Sequence, residues 1–344
     1  MNVDKSNDYQ WIDLYKLGFA MLIPLLHIEF GDNNAIYWFK QIVSRLGVPF
    51  FFVISGFFLT KSVQYKGKVK ALLHYEKRVF IMFAFWMSIY FVPLLYTNIQ
   101  FRQNTIQLML FQTPGYLWYL SALLYAAVPF CLIGKKIYKY IAATVLYIIG
   151  TLFSASYLGW CIPYYGFVQA YYKLFLTTVN GVFFAFPMLC LGEVLWNIHN
   201  HDNGKLELRL RWLVGKLTSK RVMFMICFMY VLEVFIVRTN VSDKADTSMY
   251  FSLPVLIAEF ILVSFDRCFM LNMDSKYIRT CSGAIYCMQY GVIATSFMIL
   301  KLLGIRDALY TDYIVYFIVI ILPIITVRVL HNSKIFKTLS KFIF

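Results

Sequence analysis

Of five histidines, His74, His199, His201 and His331 fall in segments expected to face the cytoplasm, and only His27 sits inside an apolar stretch, LGFAMLIPLLHIEF. An ionisable group there is costly, by about 2.5 kcal/mol or more for a charged side chain on insertion scales, and usually faces a cavity or a partner. An imidazole titrates near neutral pH, which suits proton transfer; a histidine that merely bridges two helices is the equally weighted alternative. Lys16 stands eleven residues earlier. On a continuous α-helix, about 100° per residue returns it to within about 20° of the same face, about 16 Å along the axis. Such a face suits an elongated anion with its charged head at Lys16 and its reactive end at His27. Taken alone, Lys16 also suits an anchor that snorkels to the interface. Pro24 removes a helix hydrogen bond three residues before His27 and is expected to widen the helix.

Further polar residues punctuate the apolar runs. Glu29 is about 200° around the helix from His27, so it suits an outer rim or an acceptor contact rather than the imidazole itself. Arg45 suits orientation of an acceptor or stabilisation of an oxyanion, or else an interface anchor. Ser55 precedes Gly56 and lines either a pocket or a close helix contact. Glu193, Glu233 and Glu259 read as interhelical pairs or interface residues, Trp118 and Tyr119 as part of an interfacial aromatic belt, and Asn180 and Tyr286 as polar candidates for a cavity.

The elements that must position these residues follow from composition. The chain has 344 residues, 60% hydrophobic and 14% charged, with 33 Phe and 26 Tyr. A water-soluble domain does not hide that much apolar surface behind so few charges, so lipid is the solvent for most of it. A spanning helix needs about 20 apolar residues, and about ten segments qualify. They lie near 14–30, 43–60, 79–96, 117–133, 140–158, 174–196, 222–237, 249–265, 280–303 and 313–330. An even number puts both termini on one side. Placing the ends and alternate connections inside gathers 24 of the 32 Lys and Arg there against 8 outside, so both termini are expected in the cytoplasm.

The expected fold is therefore all-α, a polytopic transmembrane helical bundle forming one domain over 1–344. The net charge of +15 belongs to orientation against anionic lipid, not to nucleic acid. In the connection 199–221, KLELRLRWL reads as an orientation loop, or else as a surface for a polyanion. The seven cysteines show no CxxC spacing and read as apolar filler, and no metal is expected. The polar start, MNVDKSNDYQWIDLYK, lacks the pattern of a cleavable signal.

The segment DLYKLGFAMLIPLLH resembles the first span of the membrane acyltransferase-3 family, whose hallmark is Arg or Lys, ten residues, then His. SRLGVPFFFVISGFFL resembles the family's Arg-containing SGF segment, with weaker echoes at EKR, LWYLSALL, NGVFFAFPMLCLGEVL and SGAIYCMQY. The resemblance implies transfer of an acyl group, often acetyl, from cytoplasmic acyl-CoA to a hydroxyl of an extracytoplasmic glycan, cell-wall or lipid-linked acceptor at the cell membrane. Carried over by position, His27 is the catalytic histidine, Lys16 the basic partner of the first motif, and Arg45 and Ser55 the Arg and Ser of the second. Two departures stand out. The family's Arg-x-x-Arg has no counterpart around Arg78, where Tyr75 and Ile81 occupy the three-residue spacings, so Lys77 and Arg78 are left to meet CoA phosphates. Gln289 stands where many members carry a second His. RLGVPFFFVISGFFL and NGVFFAFPM also resemble the membrane half of vancomycin-resistance serine racemases, in which a pyridoxal-phosphate domain follows; a stand-alone relative or an excised membrane domain is expected here.

On this reading Lys16, Lys77 and Arg78 receive the phosphates and His27 is the general base or a transient acyl carrier. Arg45, Ser55 and Glu29 face the acceptor. The alternative is a carrier for a small amino acid or a lipid-linked glycan. No internal repeat and no paired broken spans of the kind that build midplane carrier sites are visible.

Overall fold

A computed structural model describes residues 9–31, 33–91, 116–163, 166–200, 219–242, 245–265, 274–305 and 309–330. Among them every regular element is helical, with a single isolated bridge between Leu158 and Ile162. Among the described residues five helical stretches are long and apolar enough to cross a membrane: Asn34–Lys66, Gly181–His199, Lys220–Asn240, Ser275–Leu302 and Tyr310–Leu330. Two shorter apolar helices, Trp118–Leu132 and Leu253–Phe265, accompany them. The KLELRLRWL connection lies outside the described residues.

The chain divides into two compact units, one made of Met1–Val48, Ile81–Val92 and Arg267–Phe344, the other of Pro49–Phe80 and Pro93–Asp266. The first holds α1 (Gln10–Leu22), α2 (Asn34–Ile42), the last turns of α4 (Lys68–Ile89), α11 (Ser275–Leu302) and α12 (Leu309–Leu330). Here the first expected span departs from a continuous α-helix. It changes at Ile23 into a 3-10 turn, Ile23–His27, with Pro24 in its first two positions, and the chain becomes extended at Ile28. Proline lacks the N–H that an α-helix would offer to the Ala20 carbonyl, and the backbone tightens rather than widens. A 3-10 turn advances about 120° and 2.0 Å per residue. Six α-helical and five 3-10 steps therefore carry His27 about 120° around from Lys16 and about 19 Å along the axis, so the shared face expected of an unbroken helix is lost.

Two contacts fix how α1 lies on α11. Arg279 Nη1 donates to Asp13 Oδ2 at 2.8 Å, and Ser282 Oγ donates to the Lys16 carbonyl at 3.2 Å. Both pairs are separated by 266 residues, so the two helices run in the same direction, as expected for two odd-numbered spans. Cys281, Ala284 and Val327 form an apolar core where α12 packs on α11. The Tyr316 hydroxyl donates to the Met21 carbonyl at 3.1 Å, occupying a carbonyl near the point where α1 tightens.

The second unit holds α3 (Gly47–Lys66) from Pro49 onward, the first half of α4, α5 (Trp118–Leu132), α6 (Lys136–Leu152) and α7 (Gly166–Phe175). It is completed by α8 (Phe186–His199, preceded by the π turn Gly181–Ala185), α9 (Lys220–Asn240) and α10 (Leu253–Phe265). Its centre is a backbone-to-backbone contact of α3 with α8. A Cβ at Gly56 would lie 2.1 Å from the Leu189 carbonyl oxygen, and one at Gly192 would lie 2.1 Å from the Val53 carbonyl oxygen. Without a hydrophobic force between helices in lipid, such small-residue contacts are a main source of association. Around this seam the Phe57 ring meets Trp196 and Phe265, and Trp196 Nε1 donates to Gln64 Oε1 at 2.8 Å.

Candidate functional site

In the first unit the functional candidates gather at the end of the Ile23–His27 turn. His27 is half-buried and closes that turn. A second 3-10 turn, Ser44–Leu46, carries Arg45 and packs on the first. Gly47 makes the approach possible: a Cβ there would sit 3.0 Å from Ile23 Cγ1 and 3.5 Å from the Phe19 carbonyl oxygen. Arg45 Nε donates to Gln41 Oε1 at 3.3 Å, and Glu29, two residues past His27, is exposed. The structure thus brings the turns of His27 and Arg45 together in one unit.

Lys16 lies at the middle of α1, half-buried, where its charge interacts with Asp13. Burial raises the Asp13 carboxyl, while the charges of Lys16 and Arg279 pull it back down. This mixed cluster gives Lys16 a carboxylate neighbour that the spacing argument did not include. Gln289 is fully buried, and neither of its amide atoms has a hydrogen-bond partner. Counted by the same 266-residue offset it stands level with Ile23, where the backbone of α1 tightens.

In the second unit Ser55 is half-buried and shares a hydrogen bond of 2.9 Å with the Tyr119 hydroxyl, which also donates to the Phe51 carbonyl at 3.3 Å. Tyr119 packs against Phe52 with ring centroids 4.6 Å apart, and the Trp118 ring stacks on Phe184. Both half-buried rings thus pack against neighbouring elements of the second unit. Tyr75 approaches the same Ser55 without completing a hydrogen bond, leaving its hydroxyl buried and unsatisfied. Burial pushes its phenol well up, and Arg78 is close enough to draw it partly back. Ser55, Tyr119, Tyr75 and Arg78 thus form one polar group, of which the tyrosines were not singled out as site residues. Lys77 and Arg78 are both exposed on α4. Their neighbour Glu76 has one carboxylate oxygen buried without a partner, and burial raises its pKa to about 7.

The other acidic candidates separate cleanly. Glu193 pairs with Lys139 at 2.6 Å, both side chains being buried, and Lys139 also donates to the Phe130 carbonyl at 3.2 Å. Glu233 accepts from the Phe251 and Ser252 N–H groups, at 2.6 and 2.9 Å, and from the Tyr157 and Ser252 hydroxyls. It caps the start of α10 and is fully engaged in structure. It borders an open cavity of about 480 Å³ lined mainly by apolar side chains, among them Met229, Leu232 and Phe251. Glu259, by contrast, is buried with neither oxygen hydrogen-bonded. Asn180 is a cap rather than a cavity group, since its Oδ1 accepts from Val182 and Phe183 N–H and its Nδ2 donates to Tyr171 and Thr177. Among the described residues no group of three His, Cys, Asp or Glu side chains is arranged to hold a metal ion, and the six described cysteines are unpaired.

Comparison with known proteins follows the same lines. Residues 9–331 match the family model described as an acyltransferase domain, the acyltransferase-3 family. Two curated relatives, each named an amino-acid racemase of Enterococcus faecalis, are similar in part. One is 30% identical over 223 residues, covering 60% of this chain and 30% of the relative. The other is 25% identical over 273 residues, covering 71% of this chain and 35% of the relative. The chain thus spans about a third of the length of each. No solved structure is similar.

Proposed function

Because this chain belongs to the acyltransferase-3 family, we propose that it is an integral-membrane O-acyltransferase using acyl-CoA, with acetyl-CoA the first donor to test, and His27 as the reacting base. The observation that carries the reading is the family match over 9–331, which includes His27 on its tightened turn. In the proposed reaction the imidazole takes the proton of an acceptor hydroxyl as that oxygen attacks the thioester carbonyl. A C–O bond forms, the C–S bond breaks, and the departing CoA thiolate receives the proton back from His27. In the second route the imidazole itself takes the acyl group from the thioester and passes it to the hydroxyl. Lys16, Lys77 and Arg78 supply positive charge for the CoA phosphates. Arg45 and Glu29 form the rim on His27's side, and Ser55 is the hydroxyl of the polar group in the second unit. The acceptor class is a glycan, cell-wall or lipid-linked alcohol at the extracytoplasmic surface of the cell membrane.

Purified protein in lipid vesicles, given radiolabelled acetyl-CoA and a mixture of cell-envelope glycans, tests this directly. The enzyme reading expects CoA release and label in an acceptor. A carrier gives neither, and that result would overturn the proposal. An acetylated His27 peptide trapped by rapid acid quenching would select the route through an acyl-imidazole.

A further inference from the structure

The Ile23–His27 turn ends in an extended residue, and a helical end of this kind leaves carbonyl groups without intrahelical donors. Ile28 is buried, so its carbonyl needs a partner from elsewhere in the fold. That partner is Lys40. Its Nζ donates to the Ile28 carbonyl at 2.7 Å and lies 5.7 Å from the centroid of the Phe30 ring. The lysine is delivered from the last turn of α2, which is set in place by Asn33 capping the Ala35 and Ile36 N–H groups at 3.1 and 3.2 Å. Phe30 is itself held edge-on by Tyr313 and Tyr316 of α12. Glu29 and Asp312 are the carboxylates within electrostatic reach of the ammonium, and Arg45 is the cation.

We propose that Lys40 is a positioning residue for His27, its ammonium clamping the backbone immediately after the imidazole and so fixing the direction in which the ring points. The inference rests on the reading of His27 as the reacting group. A cation at the carbonyl end of a helical segment is favoured both by the hydrogen bond and by the alignment of peptide dipoles. Here those two effects act on the single residue that joins His27 to the next loop. The side chain makes this contact twelve residues upstream in sequence, so the clamp also ties the end of the Ile23–His27 turn to the helix that leads into the Arg45 turn. An apolar side chain at position 40 leaves the Ile28 carbonyl to find another donor and lets the Ile28–Glu29 peptide plane, one residue past His27, rotate.

The test uses the full chain in vesicles, with Lys40→Met, Lys40→Gln and Lys40→Arg, and two readouts. The first is acetyl transfer, resolved into kcat and KM. The second is the rate at which diethylpyrocarbonate modifies His27, followed by mass spectrometry of its peptide, which does not depend on acyl transfer. Lys40→Met is expected to lower kcat about tenfold with KM for acetyl-CoA nearly unchanged, as a misdirected base would. It should also change the His27 modification rate severalfold, and Lys40→Arg should restore both. A modification rate in Lys40→Met equal to that of the unchanged protein, or one that Lys40→Arg does not restore, would overturn the proposal. Should Lys40→Met not fold, Lys40→Gln, which keeps a donor but not the charge, is expected to shift the modification rate in the same direction, and no shift would overturn it. If the unchanged protein shows no acetyl transfer, the function reading fails by itself and the modification readout still decides the clamp.

Discussion

The surroundings of His27 and those of Ser55 are built on opposite plans. His27 closes a single 3-10 turn whose course is set by a proline, a neighbouring turn and one lysine. Ser55 lies inside a long helix, next to Gly56, at a seam where two backbones touch. In the first case a few local groups aim one side chain; in the second a rigid helix contact places a hydroxyl as a by-product of packing. Changes near His27 should therefore alter chemistry more than stability, and changes near Ser55 the reverse.

Gly56→Val should break that comparison at its strongest point. Its side chain would enter the space of the Leu189 backbone, which cannot give way, so no folded protein is expected by size exclusion in detergent. Gly47→Ala in the first unit meets a side chain rather than a backbone, with Ile23 Cγ1 at 3.0 Å needing to shift by only a few tenths of an ångström, and should by contrast fold. Next in size is the buried Lys139–Glu193 pair. Lys139→Met is expected to lower stability by about 3–5 kcal/mol, since it strands a buried carboxylate, while replacing both residues with Met and Leu should recover most of that loss. Denaturation monitored by tryptophan fluorescence in detergent checks both.

Tyr119→Phe sharpens the comparison. It removes the hydroxyl that Ser55 shares while keeping the ring against Phe52, and the expected cost is about 1 kcal/mol. A smaller effect still is expected at Glu76, whose pKa rises from 4.5 to about 7 on burial. The folded protein then holds this proton more tightly than the unfolded chain, so its contribution to stability is full below about pH 4.5 and falls as pH rises to about 7. Glu76→Gln should flatten that part of the profile, measured as thermal midpoint against pH. A profile unchanged by the substitution would remove Glu76 as its source.

Much of this was legible in the sequence, for reasons that differ by region. Apolar runs of bilayer length identify the helices because lipid demands them, and the Ser55–Gly56 pair signals close packing because only a missing side chain permits it. The tight turn at His27 was only half legible. Pro24 announced an interruption, but whether the backbone would widen or tighten depends on what packs against it, and Gly47 and the Ser44–Leu46 turn come from a later stretch of chain. Lys40 is one of the eight basic residues that the charge count places outside, and nothing in its spacing links it to the Ile28 carbonyl. The hydrogen bond of Tyr119 to Ser55 was not legible, because nothing in the pattern links an apolar run's first tyrosine to a hydroxyl 64 residues earlier.

The most direct test of the account compares His27→Ala with the unchanged protein in vesicles, measuring CoA released from acetyl-CoA in the presence of an acceptor and thermal stability in parallel. The account predicts a fall in turnover of about 10²–10⁴-fold with the thermal midpoint nearly unchanged. Turnover that persists within a fewfold in the folded variant would contradict it.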